Sequence, residues 1–148
     1  MVALSLAFAA PANAAGLARS GCTATMATPY EFSNNEVDGK KIAFPVDVTC
    51  ELNRTIDLWQ WALEDDTGWF DHNDAIGPRR NWNDYTFTAA TGKNHRFLLL
   101  RYLDQIDPSE WESREEVFHE AQFRVWRSGT GWTGFTPVAQ SPNASFDR

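Results

Sequence analysis

Between residues 40 and 50 the chain alternates in character. Ile42, Phe44, Val46, Val48 and Cys50 are apolar, and Lys41, Ala43, Pro45, Asp47 and Thr49 fall between them. A repeat of two marks a β-strand with one buried face, because successive side chains leave a strand on opposite sides. Cys22, Ala24 and Met26 repeat the pattern earlier in the chain. Both cysteines therefore fall on inward faces, which predicts a buried Cys22–Cys50 disulfide between neighbouring strands. Such a closure is worth about 3–4 kcal/mol. Pro45 has no N–H to give a sheet, so it is expected on an edge or at a bulge. Asn34-Asn35 and Asp38-Gly39 supply turn chemistry between the two segments.

Further strands are predicted over residues 55–63, 85–88, 95–103 and 116–127, with a last short one over 132–138. Residues 55–63 carry Ile56, Leu58, Trp59, Trp61 and Leu63, and also fit a short helix. Residues 107–110, reading DPSE, have the cap, proline and glutamate of a helix start. A helix between 108 and 127 competes there with a loop to Arg114 followed by a strand. The strand is favoured because it agrees with the rest of the chain. About six short strands separated by turns predict an all-β antiparallel sandwich of immunoglobulin-like form. The domain is expected over residues 15–139, with 140–148 a flexible polar tail.

Residues 2–10 form an apolar run, broken by Pro11 and followed by Ala12-Asn13-Ala14. That reads as a signal peptide over residues 1–14, cleaved after Ala14, and as a secreted, extracellular protein. No Lys or Arg precedes the run, as expected if translation starts upstream. The run is shorter than the ~20 residues a membrane span needs, and no second one follows. The formal charge of −7 and the scattered basic residues argue against nucleic acid and anionic lipid as partners. Arg19 and Ser20 do not fit a lipid-anchoring motif at Cys22.

No cofactor or metal is expected. Gly129-x-Gly131-x-x-Gly134 has the letters of a dinucleotide fingerprint. It lacks the following helix, because Phe135-Thr136-Pro137 comes next. His72, His95 and His119 have no ligand spacing. Residues 65–74 are rich in oxygen ligands but do not follow a calcium-loop spacing. The doublets Asp65-Asp66 and Glu115-Glu116 would point to opposite faces of a strand, so neither makes a facing carboxylate pair.

Seven tryptophans are the most unusual feature. Trp59, Trp61 and Trp126 lie in predicted strands and are expected in the core. Trp69, Trp82, Trp111 and Trp132 lie in predicted loops or near strand ends, the first three beside acidic or amide residues. An indole covers the C–H face of a sugar while nearby carboxylates and amides bond its hydroxyls; exposed indoles also anchor protein interfaces. The candidate ligand-binding surface is therefore Trp69, Trp82 and Trp111 with Asp71, Asn73 and Asp74.

The segments CTATMATP from Cys22 to Pro29, VDVTC from Val46 to Cys50 and IDLWQWAL from Ile56 to Leu63 resemble small secreted actinobacterial β-domain proteins of uncharacterised function. The resemblance implies an extracellular β-domain and carries over no active site. With no catalytic motif, the sequence reads as a non-catalytic binding module whose partner is an extracellular glycan or protein. Besides a purely structural envelope component, two alternatives stand beside it. One is an enzyme inhibitor or effector presenting residues 68–83 or 104–114 to a protein target. The other is a hydrolase using dispersed acids and a histidine.

Overall fold

The computed structural model describes residues 16–35, 39–65, 73–103 and 114–147. Among these there are eleven β-strands and no helix, and every pairing is antiparallel. In one sheet β1 (Gly16–Arg19), β2 (Cys22–Met26), β4 (Gly39–Cys50) and β7 (Asn94–Tyr102) lie side by side. β3 (Tyr30–Asn35) follows β2 along the same edge of β4. In the other sheet β6 (Arg80–Phe87), β5 (Arg54–Glu64) and β8 (Arg114–Arg127) are adjacent. Three short strands, β9 (Gly131–Trp132), β10 (Ala139–Gln140) and β11 (Ala144–Asp147), line the other edge of β8.

The alternation in β2 and β4 closes as expected. Cys22 stands opposite Cys50 in the register, and the two form a disulfide with both residues buried. Pro45 differs from expectation, since β4 is a central strand. Its carbonyl accepts from the Ala27 N–H at 3.0 Å, so the missing N–H faces the same side. On that side β2 has ended at Met26, opposite Val46, and β3 has not begun until Tyr30, opposite Ala43. The proline occupies a gap between two strands, where no donor is required.

The sheets bury two apolar clusters between them. One surrounds the disulfide and joins Met26, Val46 and Phe97 to Ile56, Leu58, Phe87 and Phe123. The other joins Ile42, Phe44 and Leu99 to Ala62, Ile76 and Val117. Each large side chain so buried contributes about 1.5–3 kcal/mol.

Several sequence expectations are corrected. Residues 114–127 are strand, which removes the helical alternative there. β1 and β3 form where no strand was predicted. β6 starts at Arg80, five residues ahead of the strand expected at residues 85–88. Residues 144–147 are not a loose tail: β11 pairs with β8, and Phe146 packs on the second cluster. Of residues 132–138, only Trp132 is in a strand. Trp59, Trp61 and Trp126 are not core. In β5 the inward positions are Ile56, Leu58, Gln60 and Ala62, so Trp59 and Trp61 face outward, half-buried. Trp126 likewise follows inward Val125 and is 43% exposed.

Candidate functional site

The outward face of the β6–β5–β8 sheet concentrates the chain's unusual residues. Period two brings out Asp57, Trp59 and Trp61 on β5, and Gln122, Arg124 and Trp126 on β8. Between Ile56, opposite Tyr85, and Leu58, opposite Trp82, the β5–β6 register shifts. Asn83 and Asp84 together therefore face Asp57. A bulge of this kind leaves one residue unpaired and re-aims its neighbours. Asp84 takes the left-handed conformation at φ 56° that such a bend demands.

Asp57 is the anchor of the face. It is only 4% exposed. Its Oδ1 accepts from the Asp84 backbone N–H at 2.9 Å. Its Oδ2 accepts from Arg124 Nε at 2.8 Å and lies 2.7 Å from Arg124 Nη2 in an ion pair. A carboxylate so deeply placed needs such charge-assisted donors to replace its lost hydration.

The same guanidinium lies 4.4 Å over the Trp132 ring and 5.1 Å from Phe135. Phe135 packs on Trp59 at 4.2 Å, and Arg79 lies over Trp59 at 3.9 Å and nearer the edge of the range, 5.8 Å, from Trp61. Trp126 meets Trp132 edge-on at 5.6 Å. Guanidinium groups and rings thus alternate along the face, each cation held by the negative ring face beneath it. This explains why the indoles stand outside the core: arginine and Phe135 cover them in place of the opposite sheet.

Beside Arg124 the face opens into a groove of about 330 Å³, lined by Asp57, Trp59, Asn81, Asn83, Asp84, Arg124 and Trp132. Asn81 and Asn83 reach it because Trp82, between them, points the other way. The Trp82 Nε1–H donates to Gln60 Oε1 at 3.3 Å, and its ring packs 5.6 Å from Phe97. Trp82, expected as an exposed loop indole, is therefore a strand residue turned toward the core. Asn73 and Asp74 are exposed, and the Asp74 carbonyl accepts from the Glu64 N–H at 2.8 Å, at the end of β5 remote from Leu58 and Trp82. Trp69, Asp71 and Trp111 lie outside the described residues, as does most of the oxygen-rich stretch 65–74.

The described histidines, His95 and His119, do not line this groove. His119 is enclosed between the sheets. Its Nε2 is 2.7 Å from the Ala27 carbonyl, which only accepts, so Nε2 carries the proton and Nδ1 accepts from Gln60 Nε2 at 2.9 Å. Burial pushes its pKa down to about 4, against the smaller opposing effect of the Ala27 bond. His95 stacks on Tyr85 at 4.3 Å, and burial lowers its pKa. His72 lies outside the described residues. Among the described residues no three His, Cys, Asp or Glu side chains form a metal cluster. Glu115 is buried and Glu116 exposed, as expected for strand neighbours.

The sequence reading missed Asp57, Asn81, Asn83, Asp84 and Arg124. Two signals pointed to them: opposite charges each set between apolar neighbours, in Ile56-Asp57-Leu58 and Phe123-Arg124-Val125, and the alternation Asn81-Trp82-Asn83. No family model, curated protein or solved structure matches the chain.

Proposed function

We propose that this chain is an exported, non-catalytic binding module that takes its ligand in the groove on the outward face of the β6–β5–β8 sheet. The carrying observation is the groove itself: hydrogen-bonding side chains and two indoles converge on one open concavity, held by a bulge and a partly buried ion pair. Concave sites with apolar walls and a few fixed polar groups are what ligand recognition uses. Both Asp57 oxygens are engaged by Arg124 and the Asp84 amide, which suits a structural carboxylate better than an acid or base of catalysis.

Export is supported by the leader-like residues 1–14 and by the buried Cys22–Cys50 disulfide, which belongs to an oxidising compartment. An immunoglobulin-like architecture is supported by the neighbours β4–β7 in one sheet and β5–β8 in the other, with the chain crossing between sheets from β4 to β5, from β6 to β7 and from β7 to β8. The resemblance to small secreted actinobacterial β-domains fits the same reading.

Intrinsic tryptophan fluorescence tests it. The oxidised protein is titrated with soluble cell-wall and plant glycans, acidic polysaccharides and basic peptides. A saturable shift that Trp132→Phe weakens supports a module using this groove. Flat emission against every probe would sink the reading.

A further inference from the structure

Building on the binding reading above, we infer that the groove recognises an uncharged saccharide unit of a polysaccharide. The charges of the lining argue first. Among the described residues, Arg124 is the one cation that lines the groove, and its Nε and Nη2 are committed to Asp57. Two carboxylates, Asp57 and Asp84, stand against it. A sulfate, phosphate or uronate entering here meets no unpaired guanidinium and loses its hydration beside negative charge. The chain's formal charge of −7 acts in the same direction at longer range.

A basic side chain is served little better. It would need an uncommitted carboxylate at the bottom of the groove. The carboxylate there is Asp57, whose Oδ1 holds the Asp84 N–H and whose Oδ2 holds Arg124. Only Asp84, at the exposed rim, has a carboxylate left to offer.

Hydroxyl groups fit what is left. A hydroxyl both donates and accepts, so it needs neighbours of both kinds. Asn81 and Asn83 each present a carbonyl and an amide N–H₂. Asp84 presents acceptors, and Arg124 Nη1, which makes no bond to Asp57, presents a donor. The Trp59 and Trp132 indoles, with ring faces engaged by Arg79, Phe135 and Arg124, line the groove and supply apolar contact for the C–H groups of a pyranose through the parts of the rings left uncovered. The volume, about 330 Å³, sits at the lower end of the range for small-molecule sites, roughly 300–1,000 Å³, and suits a single sugar ring. The groove is open, so the rest of the polymer can run on past it. The β5–β6 bulge and the Asp57–Arg124 pair hold Arg124 and the backbone at Asp84 in place before a ligand arrives, which lowers part of the ordering cost of binding.

Isothermal titration of the oxidised full chain separates the outcomes. The probes are neutral oligosaccharides of glucose, mannose, galactose and N-acetylglucosamine, together with polygalacturonate and an oligolysine peptide. The expected result is saturable binding of at least one neutral oligosaccharide, little changed by salt. Asn83→Ala and Asn81→Ala, both at exposed positions and checked for unchanged melting, should each weaken it about tenfold or more. Binding of polygalacturonate or oligolysine alone, with steep salt dependence, overturns the neutral-saccharide inference and leaves a binding module in place. Neutral binding that ignores both asparagine variants overturns the groove as its seat. Silence with every probe overturns the inference and the module reading together.

Discussion

Gln60 donates from Nε2 to His119 Nδ1 at 2.9 Å in the middle of the core, where β5 and β8 carry these two residues between the two apolar clusters. The same Nε2 donates to the Phe44 carbonyl at 2.8 Å, and Gln60 Oε1 accepts from Trp82 at 3.3 Å. His119 Nε2–H completes the chain on the Ala27 carbonyl. The amide and imidazole are fully used, so the seam crosses the core without an unmet polar atom. Its value is easiest to read from what its loss would do.

The pH dependence of stability follows from His119. Unfolded, the imidazole takes up a proton near pH 6.5; folded, burial holds it neutral until about pH 4. Because the folded pKa of this base is lowered, the unfolded state binds more protons within that window. The contribution is fully present above pH 6.5 and is lost as pH falls toward 4, a total of about 3 kcal/mol. Urea unfolding from pH 7.5 to 4 should show this fall. His119→Gln should flatten it; an equally steep fall in that variant would assign the effect to other groups.

Gln60→Leu puts an apolar side chain of similar size in the same place but strands three partners: His119 Nδ1, the Phe44 carbonyl and the Trp82 indole N–H. Unmet buried groups cost about 1–3 kcal/mol each, partly relieved by relaxation. A net loss of about 2–4 kcal/mol is expected in chemical denaturation, against less than 1 kcal/mol for a surface change such as Gln140→Leu.

The Asp57–Arg124 pair should behave asymmetrically. Arg124→Met leaves a nearly buried carboxylate without its cation and should cost about 2–4 kcal/mol. Asp57→Leu with Arg124→Met removes both charges and should recover most of that loss. A double variant no more stable than the single one would mean that Arg124 acts through its packing on Trp132 and Phe135 instead.

The disulfide links residues 28 apart, on adjacent strands. Cys22→Ala with Cys50→Ala should lower stability by about 3–4 kcal/mol, mostly by freeing the unfolded chain. Reductant should lower the melting temperature of the native protein and leave the double variant unaffected.

The strands of strong alternation were legible before the structure: β2 and β4 carry apolar residues at every second position, and the cysteine pairing followed from them, whereas β8, interrupted by Glu115 and His119, also fitted a helix. β1, β3 and β11 were not legible, because they are short or polar edge segments formed by pairing with a longer strand. Yet the Ser20-Gly21 turn between β1 and β2 carried a local signal. Ser20 and Gly21 have φ of 47° and 80°, the left-handed pair that a two-residue hairpin requires. The tryptophans misled for a different reason. Where both faces of a strand carry large apolar groups, as at Ile56–Leu63, periodicity separates the faces without saying which is inward. Asn81 and Asn83 read as loop residues because the same side chains serve turns and exposed strand positions alike. The pairing of Asp57 with Arg124 was out of reach, since it depends on which distant strands become neighbours.

Pro45 carries a consequence for strand alignment. A sheet register that slips by two residues keeps every side chain on its proper face, so hydrophobic patterning alone does not forbid it. Here, sliding β2 along β4 toward β3 would set a hydrogen-bonding strand position against Pro45, which has no proton to give. An imino acid in a central strand thereby serves as a stop, marking where one neighbour must end and the next may begin.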